Sequence, residues 1–131
     1  GETEIGDWAI LGGGAKAHQF SRIGAHAMIG GMSRINKDIP PYVLCGREPI
    51  SFCGVNIVGL RRRGFDSDVI RNIKDIYETI YFGGFNISDG CARVEAGFPQ
   101  SPERDYILDF IRSSKRGIIK ASTSSEKLDL E

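Results

Sequence analysis

Residues 5–40 read IGDWAI LGGGAK AHQFSR IGAHAM IGGMSR INKDIP, which divides into six hexads. The first position of each hexad is aliphatic, the second is usually glycine, and the fifth is small in the first five hexads. An amphipathic helix repeats its apolar residues about every 3.6 positions and a half-buried strand about every two, so this pattern fits neither. It is typical of a parallel β-helix, in which each hexad supplies one short strand and one corner.

Three hexads make one triangular coil, so residues eighteen apart should stack in successive coils. First-position and fifth-position side chains should point into the coil, and second-position glycines should occupy turning backbone with φ above zero. Because each coil packs only against its neighbours, roughly three or more repeats are needed for stability, and two coils are present. We therefore interpret the chain as the C-terminal part of a longer β-helix, since a glycine-rich loop would not explain the constant phase. The predicted stacked pairs are Ile5 with Ile23, Leu11 with Ile29, and Ala17 with Ile35.

The repeat ends where Pro40 and Pro41 remove backbone donors from the ladder. We predict one last strand over residues 43–45, after which the apolar period becomes helical. Capping residues and terminal glycines predict three helices, over residues 66–81, 88–96 and 101–114. The chain is thus predicted to be mainly β with α, with β-helix coils over residues 1–45, a helical domain over 46–120 and a flexible tail over 121–131.

The composition argues against several functions. The chain has 131 residues with 17 basic and 17 acidic side chains, so a net charge of zero gives no electrostatic case for binding nucleic acid. The three cysteines lack the spacing of a zinc site or a disulfide framework, and unpaired thiols suit a reducing cytoplasm. No apolar run is long enough to span a bilayer, so we expect a cytoplasmic protein without stable membrane insertion.

Five short segments carry a resemblance to a known family. They are His18-Gln19-Phe20, Ile23-Gly24-Ala25-His26, and residues 38–42, 54–57 and 59–65, the last reading GLRRRGF. Together they resemble the hexapeptide-repeat UDP-N-acetylglucosamine O-acyltransferases that begin lipid A synthesis. The resemblance runs from about residue 1 to about residue 116, and its most specific part is residues 54–65.

The resemblance implies a left-handed β-helix whose helical domain helps to assemble a homotrimer with sites between subunits. It also implies transfer of a 3-hydroxyacyl chain from acyl carrier protein to the 3-hydroxyl of UDP-N-acetylglucosamine, without a metal or other cofactor. A histidine is the general base in that family, because imidazole titrates near neutral pH and can accept a hydroxyl proton. That histidine lies about one coil before the position of His18, upstream of Gly1. We therefore expect no catalytic residue in this chain and little activity from it alone.

The resemblance also places substrate contacts on this chain. His18 stands at a second hexad position where glycine is expected, so its side chain should point outward into a groove between subunits. Two arginines suit the nucleotide phosphates, because a guanidinium stays charged and binds phosphate through two parallel hydrogen bonds. Glu2 stands where relatives carry histidine, so no role is carried over to it, and Val58 replaces an acid found in some relatives. The predicted substrate-binding residues are His18, Gln19, Asn56, Arg62 and Arg63.

Gly31 matches the family position that limits the length of the acyl chain. It is the third residue of its hexad, so a side chain there should point outward into the groove. Because glycine leaves this groove open, we expect a long 3-hydroxyacyl donor to be preferred over a medium one.

Two functions of other kinds stay open. The chain could be a non-catalytic trimeric scaffold or a nucleotide-sugar-binding module kept after loss of the catalytic coils. A β-helical carbonic anhydrase is less favoured, because a three-histidine zinc site needs one histidine more than His18 and His26 supply.

Overall fold

The fold begins as a stack of very short parallel strands. In the computed structural model, which describes residues 3–121, residues eighteen apart pair in parallel, and the three stacked pairs predicted from the hexads all form. Each of these strands is two residues long and ends on the first position of a hexad, which leaves the other residues to the corner. The strands are β1 Glu4–Ile5, β2 Ile10–Leu11, β3 Lys16–Ala17, β4 Arg22–Ile23, β5 Met28–Ile29 and β6 Arg34–Ile35.

The second-position glycines are explained by close packing between coils, and the expectation that they need positive φ is wrong. A Cβ atom on Gly12 would lie 2.5 Å from the backbone nitrogen of Gly31 in the next coil, and one on Gly24 would lie 2.4 Å from that of Pro41. The left-handed backbone occurs two positions later, at the fourth position of the first five hexads, with φ from 61° to 77°. The residues that adopt it are Trp8, Gly14, Phe20, His26 and Met32.

The two coils differ in how well their interior is covered. The first-position side chains of the second coil, Ile23, Ile29 and Ile35, are at most 2% exposed, and its small fifth-position residue Ala27 is fully buried. Ile5 in the first coil is 51% exposed, because none of residues 3–121 packs across that end of the stack. The inward direction predicted for the first hexad position therefore holds in the second coil.

A hairpin extends one face of the stack at its other end. Strand β7, Val43–Gly46, pairs in parallel with β5 and covers the strand predicted over residues 43–45. Strand β8, Ser51–Val55, then pairs with β7 in the antiparallel direction, which the sequence did not predict. The sheet ordered β2-β5-β7-β8 therefore continues into the part of the chain assigned to the helical domain.

Four helices follow in the described part of the chain, and three of them start and end within one or two residues of the predicted limits. Ser101 caps the last helix by accepting a hydrogen bond from the backbone nitrogen of Arg104, and Asp66 precedes the longest helix without a side-chain capping bond. The short first helix was not predicted. The helices are α1 Ile57–Arg62, α2 Ser67–Phe82, α3 Ile87–Gly97 and α4 Pro102–Ser113. None of the helices in residues 3–121 is long and apolar enough to cross a membrane.

The segment after α4 returns to the coils. Ile118 forms a parallel bridge with Asp38, and Ala121 forms one with Phe52, so the last described residues lie against both halves of the fold. Helix α2 also contacts this segment, because the Tyr81 hydroxyl donates a hydrogen bond to the Ile119 carbonyl oxygen at 2.7 Å. The predicted flexible tail lies, apart from Ala121, outside the described residues.

Candidate functional site

Three of the predicted substrate-binding residues meet at one pocket. Asn56, Arg62 and Arg63 line a cavity of about 230 Å³ between the first corner of the coil stack and helix α1. Two residues to which the sequence analysis assigned no substrate contact, Trp8 and His26, line the same cavity. Trp8 and His26 belong to the coils, far before the segment that holds Asn56 and the two arginines, so the cavity exists only in the folded chain.

Asn56 builds this pocket as well as lining it. Its side-chain Oδ1 accepts a hydrogen bond from the Gly59 backbone nitrogen at 3.2 Å, which caps α1. Its Nδ2 donates to the His26 carbonyl oxygen at 2.9 Å, which ties the helix to a coil corner. A side-chain amide has two donors and two acceptor lone pairs, so one of each is left for a ligand.

The two arginines stand at the C-terminal end of α1. Arg62 lies in the last turn and Arg63 is the C-cap residue, where cations interact favourably with the negative end of the helix dipole. The Arg63 guanidinium lies over the Trp8 indole, with 3.8 Å between Cζ and the ring centroid. Both side chains are exposed to solvent and line the cavity, so two cations border it, which suits an anionic ligand.

His26 is a pocket residue whose role the sequence analysis missed, although it lies in one of the quoted segments. Its ring stacks on Tyr42 with 5.8 Å between centroids and meets Phe65 edge-on at 4.9 Å. Burial lowers the pKa of His26 below its ordinary value, and the nearby Arg63 lowers it further against an opposing effect of Asp7. The imidazole is therefore neutral near pH 7.

His18 and Gln19 lie at another corner of the coils and do not line this pocket. The side chain of His18 is exposed, as predicted, and its Nδ1 lies 3.1 Å from Nη1 of Arg116. Arg116 also donates from Nη2 to the Gln19 carbonyl oxygen at 2.8 Å. Within one chain, the predicted substrate contacts thus form two separate groups. Sequence reasoning gave Arg116 no role, because nothing local links it to a residue 98 positions earlier.

Gly31 lies against the preceding coil. A Cβ atom there would stand 3.0 Å from the Gly13 carbonyl oxygen, which already accepts a hydrogen bond from the Met32 nitrogen at 2.9 Å. The φ angle of Gly31 is outside the left-handed region, so its backbone does not require glycine. A larger side chain at this exposed position would have to pass the corner of the earlier coil.

The three cysteines carry free thiols, with Cys45 and Cys91 buried. Across residues 3–121, no three side chains of His, Cys, Asp and Glu come close enough to hold a metal ion. His18 and His26, the pair considered for a zinc site, lie at different corners of the stack.

Comparisons with known proteins agree on one family. The family model of UDP-N-acetylglucosamine O-acyltransferase, domain 2, matches residues 38–119. The acyl-[acyl-carrier-protein]–UDP-N-acetylglucosamine O-acyltransferase of Burkholderia mallei (strain SAVP1) is 40% identical over 124 residues, which are 92% of this chain and 47% of that protein. The solved UDP-N-acetylglucosamine acyltransferase of Bacteroides fragilis is 52% identical with a TM-score of 0.88, over 90% of this chain and 46% of that one. The acyltransferase of Francisella novicida is 31% identical with a TM-score of 0.88, over 100% of this chain and 50% of that one.

The stacked hexads and the helices that follow them place the chain in the class of hexapeptide-repeat proteins. With more than half of its residues matched by the family model, the chain belongs to the UDP-N-acetylglucosamine O-acyltransferase family. It spans about half the length of the curated relatives that it matches.

Proposed function

We propose that this chain supplies the C-terminal half of an acyltransferase that moves a 3-hydroxyacyl group from acyl carrier protein to the 3-hydroxyl of UDP-N-acetylglucosamine, the first step of lipid A synthesis. The observation that carries the proposal is the pocket in which Asn56, Arg62 and Arg63 meet, since these three residues belong to the part of the chain that the family model matches. A pocket bordered by two guanidinium groups suits the diphosphate of a UDP-sugar.

The architecture that we propose is a left-handed parallel β-helix over residues 1–45, with a helical domain over residues 46–120. The eighteen-residue register of the parallel strands supports the β-helix, and the four helices support the second part. We further propose that three copies assemble into a homotrimer in the cytoplasm.

A trimer would give a reason for the two separate groups of predicted contacts. Arg62 and Arg63 lie at one corner of the coils, and His18 and Gln19 lie at another. If the sites lie between subunits, one subunit contributes the arginines and its neighbour contributes His18 and Gln19. Each site then holds the phosphates at one wall and another part of the substrates at the opposite wall.

The general base in this proposal is a histidine upstream of residue 1, so the chain alone should transfer acyl groups poorly. Loss of a general base typically costs about 10²–10⁴-fold in rate. A second candidate, a non-catalytic scaffold or nucleotide-sugar-binding module, is favoured if no such histidine precedes this chain in its gene.

The test restores the missing coils. The chain is joined at its N-terminus to the upstream residues of the Bacteroides fragilis relative, and we call this fusion the extended protein. We expect the extended protein to acylate UDP-N-acetylglucosamine with a 3-hydroxyacyl carrier protein, and the chain alone to be slower by about 10²-fold or more. Equal rates for the two proteins would show that the general base does not lie upstream of residue 1. A folded extended protein that binds the UDP-sugar without transfer would favour the binding-module alternative.

A further inference from the structure

A contact between the end of the described chain and the third hexad points to a further residue of the site. Arg116 Nη1 lies 3.1 Å from His18 Nδ1, and Arg116 Nη2 donates to the Gln19 carbonyl oxygen at 2.8 Å. We infer that Arg116 is a positioning residue that fixes His18 in the Nε2–H tautomer, so that His18 donates a hydrogen bond to an oxygen of the UDP-sugar. The inference rests on the proposed function for the identity of that ligand.

The tautomer follows from the chemistry of arginine. A guanidinium carries only donors and stays protonated, so His18 Nδ1 accepts this hydrogen bond. The proton of the neutral imidazole is then on Nε2. The alternative tautomer would donate from Nδ1 to the Gln19 carbonyl oxygen, which is also 3.1 Å away. Arg116 opposes this tautomer because it directs an N–H group toward Nδ1, and it also takes one of the two lone pairs of the Gln19 carbonyl oxygen.

The backbone of Arg116 is held in place by the coils. Lys37 Nζ donates to the Arg116 carbonyl oxygen at 3.1 Å, and the Asp38 backbone nitrogen donates to the Gly117 carbonyl oxygen at 2.9 Å. Gly117 has a φ of 86°, a left-handed conformation that glycine adopts without strain. The guanidinium therefore reaches His18 from a segment that is already bonded to the same corner of the stack, one coil further on.

This arrangement limits what His18 can do. An imidazole that carries its proton on Nε2 and accepts at Nδ1 can donate from Nε2 but has no free lone pair to take a proton. Among residues 3–121, no group forms a hydrogen bond with His18 Nε2, so this donor is left for a ligand. His18 then orients a hydroxyl or carbonyl oxygen of the UDP-sugar, and the general base remains a different histidine.

The tautomer can be measured without any substrate. The chain has two histidines, so nuclear magnetic resonance of the ¹⁵N-histidine-labelled chain gives two imidazoles, and His18→Ala identifies which signals belong to His26. In spectra recorded at about pH 8, His18 should show a protonated Nε2 and an unprotonated Nδ1. In Arg116→Ala the population should move toward Nδ1–H, because no N–H group then faces Nδ1 and the Gln19 carbonyl oxygen lies within reach of an Nδ1–H donor. Unchanged His26 signals would show that the variant is folded.

A neighbouring cation is the matched control. Lys115→Ala removes the same charge one position earlier and should leave the His18 tautomer as it is. The inference is overturned if wild-type His18 carries its proton mainly on Nδ1, or if Arg116→Ala leaves the tautomer unchanged. It is also overturned if Lys115→Ala shifts the tautomer as much as Arg116→Ala, because the shift would then come from the loss of any nearby positive charge and not from the contact of Arg116 with His18.

The role toward the ligand needs the extended protein. Arg116→Ala should weaken binding of UDP-N-acetylglucosamine by roughly tenfold, the scale of one hydrogen bond. Unchanged affinity together with a shifted tautomer would overturn the donor role of His18. If the unmodified extended protein binds no UDP-sugar while the tautomer results hold, the proposed function fails and the positioning of His18 by Arg116 stands.

Discussion

The guanidinium of Arg63 lies over the indole ring of Trp8, 3.8 Å from its centroid. Trp8 belongs to the first corner of the coils, and Arg63 is the C-cap residue of helix α1, so this contact joins the coils to the helical part of the chain. It also holds one of the two cations of the pocket in a defined position. A guanidinium held in advance loses less conformational freedom when it binds a phosphate.

We expect the Trp8–Arg63 contact to stabilise the fold measurably. A double-mutant cycle with Trp8→Ala, Arg63→Ala and the double variant should give a coupling free energy of about 0.5–2 kcal/mol in urea unfolding of the chain. Additive effects of the two substitutions would mean that the contact contributes nothing to stability.

Arg62→Ala should weaken binding of UDP-N-acetylglucosamine to the extended protein by roughly 1.5–3 kcal/mol, the usual scale of a hydrogen bond to a charged partner. Arg61→Ala is the matched control, because Arg61 is the preceding residue of α1, is exposed and does not line the pocket. Calorimetric titration measures both affinities. Equal losses in the two variants would assign the effect to net charge.

Adjacent glycines of one hexad should respond differently to a methyl group. Gly12→Ala should destabilise the chain by about 1–3 kcal/mol, because its Cβ would lie 2.5 Å from the Gly31 backbone nitrogen and the coils would have to separate. A Cβ on Gly13 would have no atom within 4 Å, so Gly13→Ala should be close to neutral. Chemical denaturation of both variants tests this, and an equal loss of stability in the two would contradict the close-packing explanation.

Gly31→Met in the extended protein should shift the preference from a long to a shorter 3-hydroxyacyl donor. The new side chain must pass the Gly13 carbonyl oxygen, 3.0 Å from its Cβ, and would then occupy the outer surface that we propose for the acyl tail. Forcing the last methylenes of a long donor into space that the new side chain fills should cost roughly 1–3 kcal/mol in binding that donor. The measurement is the ratio of kcat/KM for long and medium donors. An unchanged ratio with lower stability would mean that Gly31 serves packing alone.

The pKa of His26 predicts a dependence of stability on pH. Because burial lowers this pKa in the folded chain, the unfolded chain binds more protons near pH 6. The contribution of His26 is therefore fully present above its ordinary pKa of 6.5 and is lost as the pH falls through the lower folded value. The free energy of unfolding should fall from pH 8 toward pH 5.5, and His26→Gln should make this fall smaller. The same slope in the variant would show that other groups cause it.

The family, the strand register and most of the helices could be predicted from the sequence. The eighteen-residue register follows because the hexad period decides which side chains point inward and three hexads make one coil, so Ile5 pairs with Ile23. Helix α4 is encoded locally as well, since Ser101 and Pro102 act through groups within one turn. Such features depend on neighbours along the chain, and a single sequence contains them.

The pocket and the two contacts that shape the candidate sites were decided by the tertiary structure. Trp8 meets Arg63, and His18 meets Arg116, across long stretches of chain that carry no shared periodicity or motif. The reason for Gly12 also depends on its neighbour in space, because the atom that excludes a methyl group belongs to the next coil. Periodicity determines the direction of each side chain, but which distant group it reaches depends on how the coils, the hairpin and the returning C-terminal segment pack together.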